Sequence, residues 1–362
     1  MKMGIMTFVH TSNYGAALQA FALQRVLIKK GVFCEIIDYE AEFLEEFSPR
    51  QVFKRRGIAN KIAAPAMYCV YSKRLKVFEA FAEKHCRMSP KAYDSASIAE
   101  IGQDYDRIIV GSDQVWNMDI LKGDESFFLG FVAGSLKKYS YAASMGSRYL
   151  SEKRKEYFEK RISEFSLISV REQTSQRILQ ERRGKEVRCD IDPTLLLEKE
   201  AWHSFISGCP CSRQYILVYM IPENKHVYDR IRAMAKRENC RILWVRNGIR
   251  KIPKFHNLNT ISPEEFLNYI YYAKFIVAGS FHAVCFSLIY QKEFFYTEAG
   301  VPERSVRLLD LIEKVGIKGR NLDDYGNHPV PINYEIINKK VAALREQSMK
   351  TIADICDAQL QG

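Results

Sequence analysis

Along this chain short apolar runs alternate with stretches of helical periodicity, and that alternation limits the fold more than any single residue does. Met3–Phe8 reads as a strand, Gly15–Lys30 as a helix, and Phe33–Tyr39 as a second strand. In the helix Leu18, Ala22, Leu23, Val26 and Leu27 share one face. Further strands are expected at Arg107–Val110, Lys138–Ala143 and Leu167–Val170, with a helix over Ser151–Phe165. The second half repeats the pattern. Strands at Tyr215–Ile221, Arg241–Arg246, Lys274–Ala278 and Glu293–Thr297 alternate with helices at Asn224–Asn239, Pro263–Ala273, His282–Gln291 and Ser305–Val315. Uninterrupted apolar strands between helices are the mark of a parallel sheet covered on both faces. The fold class is therefore α/β, with two Rossmann-like halves facing a cleft.

At 362 residues the chain exceeds what one core usually serves. The expected division is an N-terminal Rossmann-like domain over 1–166, carrying a basic helical insertion near 41–90, and a C-terminal one over 167–337. A long helix over 338–362 closes the chain. The nine cysteines show no CxxC pair and no zinc-finger spacing, which favours free thiols in a reducing compartment. The start carries no signal-peptide pattern, and no apolar run approaches the ~20 residues of a bilayer span. A cytoplasmic location is expected.

The net charge of +11 raises the question of an anionic partner. Residues 50–76 hold Arg50, Lys54, Arg55, Arg56, Lys61, Lys73, Arg74 and Lys76 with no acid, interleaved with apolar side chains. Such a segment suits an anionic lipid or phosphate surface, or equally a solvated helix face. No nucleic-acid-binding motif is present, and no nucleic-acid partner is expected.

Ligands of α/β halves gather at the carboxyl ends of strands. Four such junctions carry polar residues. His10, Thr11, Ser12 and Asn13 precede a helix start at Gly15, an arrangement that favours an anion. Val110–Asn117, VGSDQVWN, sets Asp113 and Trp116 beyond a buried strand. Asp113 reads as a proton acceptor or a helix cap, and Trp116 as a sugar-stacking wall or core. Arg171 emerges from ISVRE, where its fork suits a carboxylate or phosphate ligand, or pairs with a nearby acid. Gly279-Ser280 places His282 in the first turn of an apolar helix, as a chemical group or as a satisfied core histidine. Asp190-Ile191-Asp192 matches a metal-binding DxD pattern. With Pro193 following at once it reads as a strand-to-turn junction, and no metal site is expected.

In order, SNYGAALQAFAL, GSDQVWN, ISVRE, DPTLLL and GSFHAVCFSLI resemble the polysaccharide pyruvyl transferase family, over roughly residues 4–312. The resemblance implies two halves similar to the B-type glycosyltransferase fold. It implies transfer of pyruvate from phosphoenolpyruvate, a co-substrate, to a sugar of a capsular, exopolysaccharide or cell-wall polymer or its lipid-diphosphate-linked precursor, with no cofactor. By position, His282 matches the catalytic histidine and Arg171 the arginine of the SVR motif. The better-known branch has Arg where this chain has Ser280. Arg304 or Arg307 is then expected to supply the donor-binding cation, together with Ser280 and Asn13. Asp113 is expected to assist a sugar hydroxyl, and Tyr14, Trp116 and Asn117 to shape the acceptor side. A lipid-linked acceptor would bring the basic segment 50–76 to the inner membrane surface. The alternatives are a nucleotide-sugar-dependent glycosyltransferase of the same fold and a non-catalytic glycan-binding relative.

Overall fold

The computed structural model describes residues 1–54, 58–132, 137–147, 149–183, 186–221, 223–246, 251–298, 302–325 and 330–357. The chain forms two compact units. The first comprises 1–46, 82–197 and 341–362, and the second 47–81 and 198–340.

The strands of the first unit are β1 (Lys2–Met6), β2 (Phe33–Tyr39), β3 (Met88–Tyr93), β4 (Arg107–Asp113), β5 (Lys137–Ala143), β6 (Phe165–Val170) and β7 (Val187–Cys189). They make one parallel sheet in the order β3-β2-β1-β4-β5-β6-β7. The second unit holds β8 (Tyr215–Met220), β9 (Arg241–Val245), β10 (Phe255–Leu258), β11 (Phe275–Gly279) and β12 (Phe294–Tyr296). These are also all parallel, in the order β10-β9-β8-β11-β12. The fold class is α/β with two parallel-sheet halves.

The central strands are buried from end to end: every residue of β4 and of β8 is buried. A strand covered on both faces has no polar side, which is why RIIV and YILVYM read as strands from sequence. The helices start where a side chain can satisfy the orphan N–H groups of the first turn. Asn13 Oδ1 accepts from Gly15 N at 2.9 Å to open the helix Tyr14–Lys29. Ser262 and Glu265 form a reciprocal capping box on Pro263–Tyr272, with Pro263 at its start.

Three features differ from the sequence expectation. The domain boundary is at 197/198 rather than 166/167, because β6 and β7 pair onto β5 in the first sheet. The basic segment does not stay with the first half. Most of it lies in one long helix, Ile58–His85, whose part up to Phe81 packs with the second unit. Phe81 there meets the Phe205 ring at 6.1 Å, and Arg74 donates to the Asn259 carbonyl. The closing helix, Tyr334–Asp357, is not a separate element. From Val341 onward it belongs to the first unit, where Arg107 donates to the carbonyls of Ile355 and Cys356 and Ser348 Oγ accepts from Ile191 N at 3.0 Å.

Candidate active site

Each sheet has one point where the strand order reverses direction: between β1 and β4 in the first, and between β8 and β11 in the second. Helices leave on opposite faces there, so the carboxyl ends diverge and leave a crevice for a ligand. Three of the four polar motifs fall at these two points, after β1, β4 and β11, and the fourth, with Arg171, follows β6.

In the first unit β4 ends in Gly111-Ser112-Asp113. Gly111 has φ +140°, and a Cβ there would stand 2.0 Å from the Tyr141 carbonyl oxygen, so only glycine fits against β5. The Gly111–Ser112 peptide bond is cis, and Asp113 has φ 73°. Ser112 is tied on three sides. Its N–H donates to Gln19 Oε1 at 3.0 Å, its Oγ donates to the Ala142 carbonyl at 3.0 Å, and its carbonyl accepts from Thr7 Oγ1 at 3.2 Å. Gln19 Nε2 in turn donates to Thr7 Oγ1 at 2.9 Å, which joins the β1 loop to the end of β4.

Arg171 stands one residue beyond β6 and is only 3% exposed. Its Nη1 forms a short ion pair with Asp192 Oδ2, and its Nη2 lies 3.6 Å from Asp113 Oδ1. Burial by itself depresses the guanidinium pKa. The charges of Asp192, Asp113 and Glu172 outweigh it and leave the pKa above the ordinary value. Arg171 was expected to hold a donor anion. In this structure it is the buried counter-charge of two carboxylates, the pairing that the sequence left open.

Asp192 also caps the turn Pro193–Leu196, accepting from Thr194 N at 3.0 Å and Thr194 Oγ1 at 2.7 Å. Asp190 accepts from the hydroxyls of Ser169 and Thr351, and burial raises its pKa. Both acids of the DxD pattern thus serve the interior, as a strand-to-turn junction requires. Among the described residues no group of three His, Cys, Asp or Glu is placed to hold a metal ion.

Trp116 does not form a sugar-stacking wall. It is 0% exposed, parallel to the Phe128 ring at 6.1 Å and edge-on to Phe158 and Phe165, with Nε1 donating to the Phe127 carbonyl at 3.0 Å. A large apolar ring behind a buried strand goes where apolar area is covered. Tyr14 is also fully buried at the start of its helix, and offers no surface to an acceptor. Asn117 is half-buried; its Oδ1 accepts from Asp119 N, and its Nδ2 donates to Gln114 Oε1 at 2.9 Å. Asn13 is half-buried and occupied as the helix cap described above.

The sequence did not pair His10 with Asp38. His10 Nε2 makes a short hydrogen bond to Asp38 Oδ1, which bridges the loop after β1 to the carboxyl end of β2. Asp38 lies inside a strand run and carried no motif, so nothing local marked it.

In the second unit β11 ends in Gly279, where a Cβ would meet Met220 Cγ at 2.9 Å. Ser280 is the N-cap residue of the helix Phe281–Ile289, but its hydroxyl makes no capping bond. His282 is the second residue of that helix, 5% exposed, with its ring edge-on to Phe281 at 5.1 Å. On the same edge Arg246, just past β9, pairs with Glu223 at 2.6 Å and lies 4.2 Å from the Trp244 ring centroid. Asn224 Nδ2 donates to Thr297 Oγ1 and to the Glu298 carbonyl, linking the ends of β8 and β12. Arg246 and Glu223 were absorbed into strand and loop in the sequence reading and went unnoticed. Arg307 is half-buried on the helix Pro302–Val315, while the Arg304 side chain lies outside the described residues. His282, Ser280 and Arg307 thus belong to the second unit, and Asp113, Arg171, Asn13, Tyr14, Trp116 and Asn117 to the first.

Among solved structures the fold is similar to a protein from Listeria monocytogenes assigned as a UDP-N-acetylglucosamine 2-epimerase, at 10% identity and TM-score 0.53, covering 99% of this chain and 97% of that one. It is also similar to S. aureus MnaA solved with UDP, at 12% identity and TM-score 0.51, covering 89% and 85%. A further UDP-N-acetylglucosamine 2-epimerase gives 10% identity and TM-score 0.52, covering 99% and 96%. At such identities the likeness is one of fold: two parallel-sheet halves of the B-type glycosyltransferase kind. No curated protein sequence matches the chain. The family model for polysaccharide pyruvyl transferases matches residues 13–298. The chain belongs to the polysaccharide pyruvyl transferase family, a family of transferases.

Proposed function

We propose that this protein transfers pyruvate from phosphoenolpyruvate to two hydroxyls of one sugar, in a surface polysaccharide or its lipid-linked precursor, to form a cyclic ketal. The family match over 13–298 carries the reading, since it takes in the polar ends of both sheets. In the reaction C3 of the enol phosphate gains a proton and C2 becomes electrophilic. Two sugar oxygens bond to C2, and phosphate departs. Of the two hydroxyl protons, one balances the proton taken up by C3 and the other leaves with the phosphate. A general acid is required at C3.

His282 is proposed for that acid. Its place at the reversal point of the second sheet and in the first turn of a nine-residue helix supports it. The N–H groups of that turn favour the donor's anionic groups. Ser280 is too short and uncharged to replace a cation, so Arg307 is assigned to the donor, with Arg304 on the same helix. Asn13 and Asn117 remain candidates for polar contacts with donor and acceptor. The direct test offers the enzyme phosphoenolpyruvate and, separately, nucleotide sugars, with a panel of glycan and lipid-linked acceptors. Acceptor-dependent phosphate release from phosphoenolpyruvate is expected. Nucleotide release from a sugar nucleotide would instead establish a glycosyltransferase, and donor binding without turnover a non-catalytic relative.

Peripheral attachment to an anionic membrane is proposed alongside this. No described helix is long and apolar enough to cross a membrane. Phe53 is 54% exposed and Ile62 76%, in a segment that also exposes Lys54, Lys61, Lys73 and Lys76. Arg74 leaves the basic set, because it is buried against the second unit's own interior, and Arg55 and Arg56 lie outside the described residues. Each lysine near a charged bilayer contributes ~1 kcal/mol. K54Q/K61Q is thus expected to weaken binding to phosphatidylserine vesicles by roughly 30-fold at low salt. Vesicle binding indifferent to both salt and these substitutions would exclude the surface.

A further inference from the structure

We infer that His10 and Asp38 act as a dyad whose imidazole is the general base for an acceptor hydroxyl. This rests on the pyruvyl-transfer reading above. Asp113 was expected to help in that role, but it is 5% exposed and its carboxylate faces Arg171. Turned to a buried guanidinium and closed off from solvent, it is out of reach of a sugar. The His10–Asp38 pair differs on both counts. The two side chains are 36% and 25% exposed. His10 lies in the loop after β1, one of the two strands at the reversal point, and Asp38 lies at the carboxyl end of β2, the neighbour of β1 on the other side. His10 has a left-handed backbone, φ 53°. That is uncommon outside glycine, and backbone outliers gather at functional sites.

The chemistry follows from which nitrogen the carboxylate occupies. Asp38 contacts Nε2, so it favours the tautomer with the proton there and makes Nδ1 the basic nitrogen. A carboxylate behind an imidazole also stabilises the imidazolium that forms when the base takes a proton. In the transfer the dyad removes the proton of one sugar hydroxyl as its oxygen bonds to C2, and releases that proton to the departing phosphate. The proton of the second hydroxyl balances the one gained by C3. Protons and charge balance without any further reactant.

The experiment compares wild type, His10→Ala and Asp38→Asn in the phosphate-release assay, with melting curves as a check on folding. His10→Ala is expected to lower kcat by ~10²–10⁴-fold with the KM for phosphoenolpyruvate little changed. Added imidazole should restore part of that rate, as a merely structural histidine would not allow. Asp38→Asn should also lower kcat at unchanged KM, because it loses the preferred tautomer. If His10→Ala fails to fold, the kcat and KM of Asp38→Asn decide. A fully active Asp38→Asn, or a His10→Ala that keeps wild-type kcat or ignores imidazole, overturns the dyad and leaves pyruvyl transfer standing. A folded wild type that releases no phosphate with any acceptor overturns both.

Discussion

Arg171→Ala lowers the stability of the first unit by about 3–5 kcal/mol, the range for removing one partner of a buried ion pair. The size follows from what the substitution leaves behind. Asp192 is 1% exposed and Asp113 is 5% exposed, and both lose their counter-charge in a place water does not reach. Asp192 cannot turn away, because the same side chain caps the turn at Pro193 through Thr194. Chemical denaturation measures the loss. Arg171→Ala/Asp192→Ala should cost less than the sum of the two single variants, since the second removal takes away a charge that the first left unpaired. Additive costs, or a single-variant loss under 1 kcal/mol, would mean that solvent reaches the pair. Arg171→Lys should not restore full stability, because an ammonium cannot present the guanidinium's fork to two acids.

His282→Ala abolishes turnover while the protein stays folded. General acid catalysis contributes ~10²–10⁴-fold, and without a proton at C3 the carbon that must accept the sugar oxygens is not activated. His282 is buried, so truncation leaves a cavity, and the melting temperature is expected to fall by several degrees. His282→Gln keeps most of the volume and a hydrogen-bonding end but no titratable proton, and separates chemistry from packing. An inactive, stable His282→Gln supports the acid. An active one removes His282 from the mechanism, whatever His282→Ala does to the fold.

How much of this was legible in advance depended on the range of the interaction. Nine of the twelve described strands were read from their apolar runs. The three that escaped, β3, β7 and β10, are edge strands. MSPKAY, VRC and FHNL need bury only part of their surface, so nothing in them exceeds the apolarity of a loop. Missing β7 also displaced the domain boundary, because its pairing with β6 keeps residues up to 197 in the first unit. The helix Phe281–Ile289 and the turn at Pro193 were placed well, since caps and strand ends are local signals.

The sequence by itself determined the class of fold and the family. A strand buried on both faces must be apolar throughout, and ordered motifs survive in the linear text. Only the tertiary structure decided what the polar residues of those motifs do. Arg171 meets Asp192, 21 positions away, and His10 meets Asp38, 28 away. Trp116 turned from a candidate wall into core once its ring neighbours were in place. The physical reason is common to all three. A side chain's role depends on whether it keeps its water and on which counter-charge or ring replaces that water, and both depend on residues that meet only when the chain has folded.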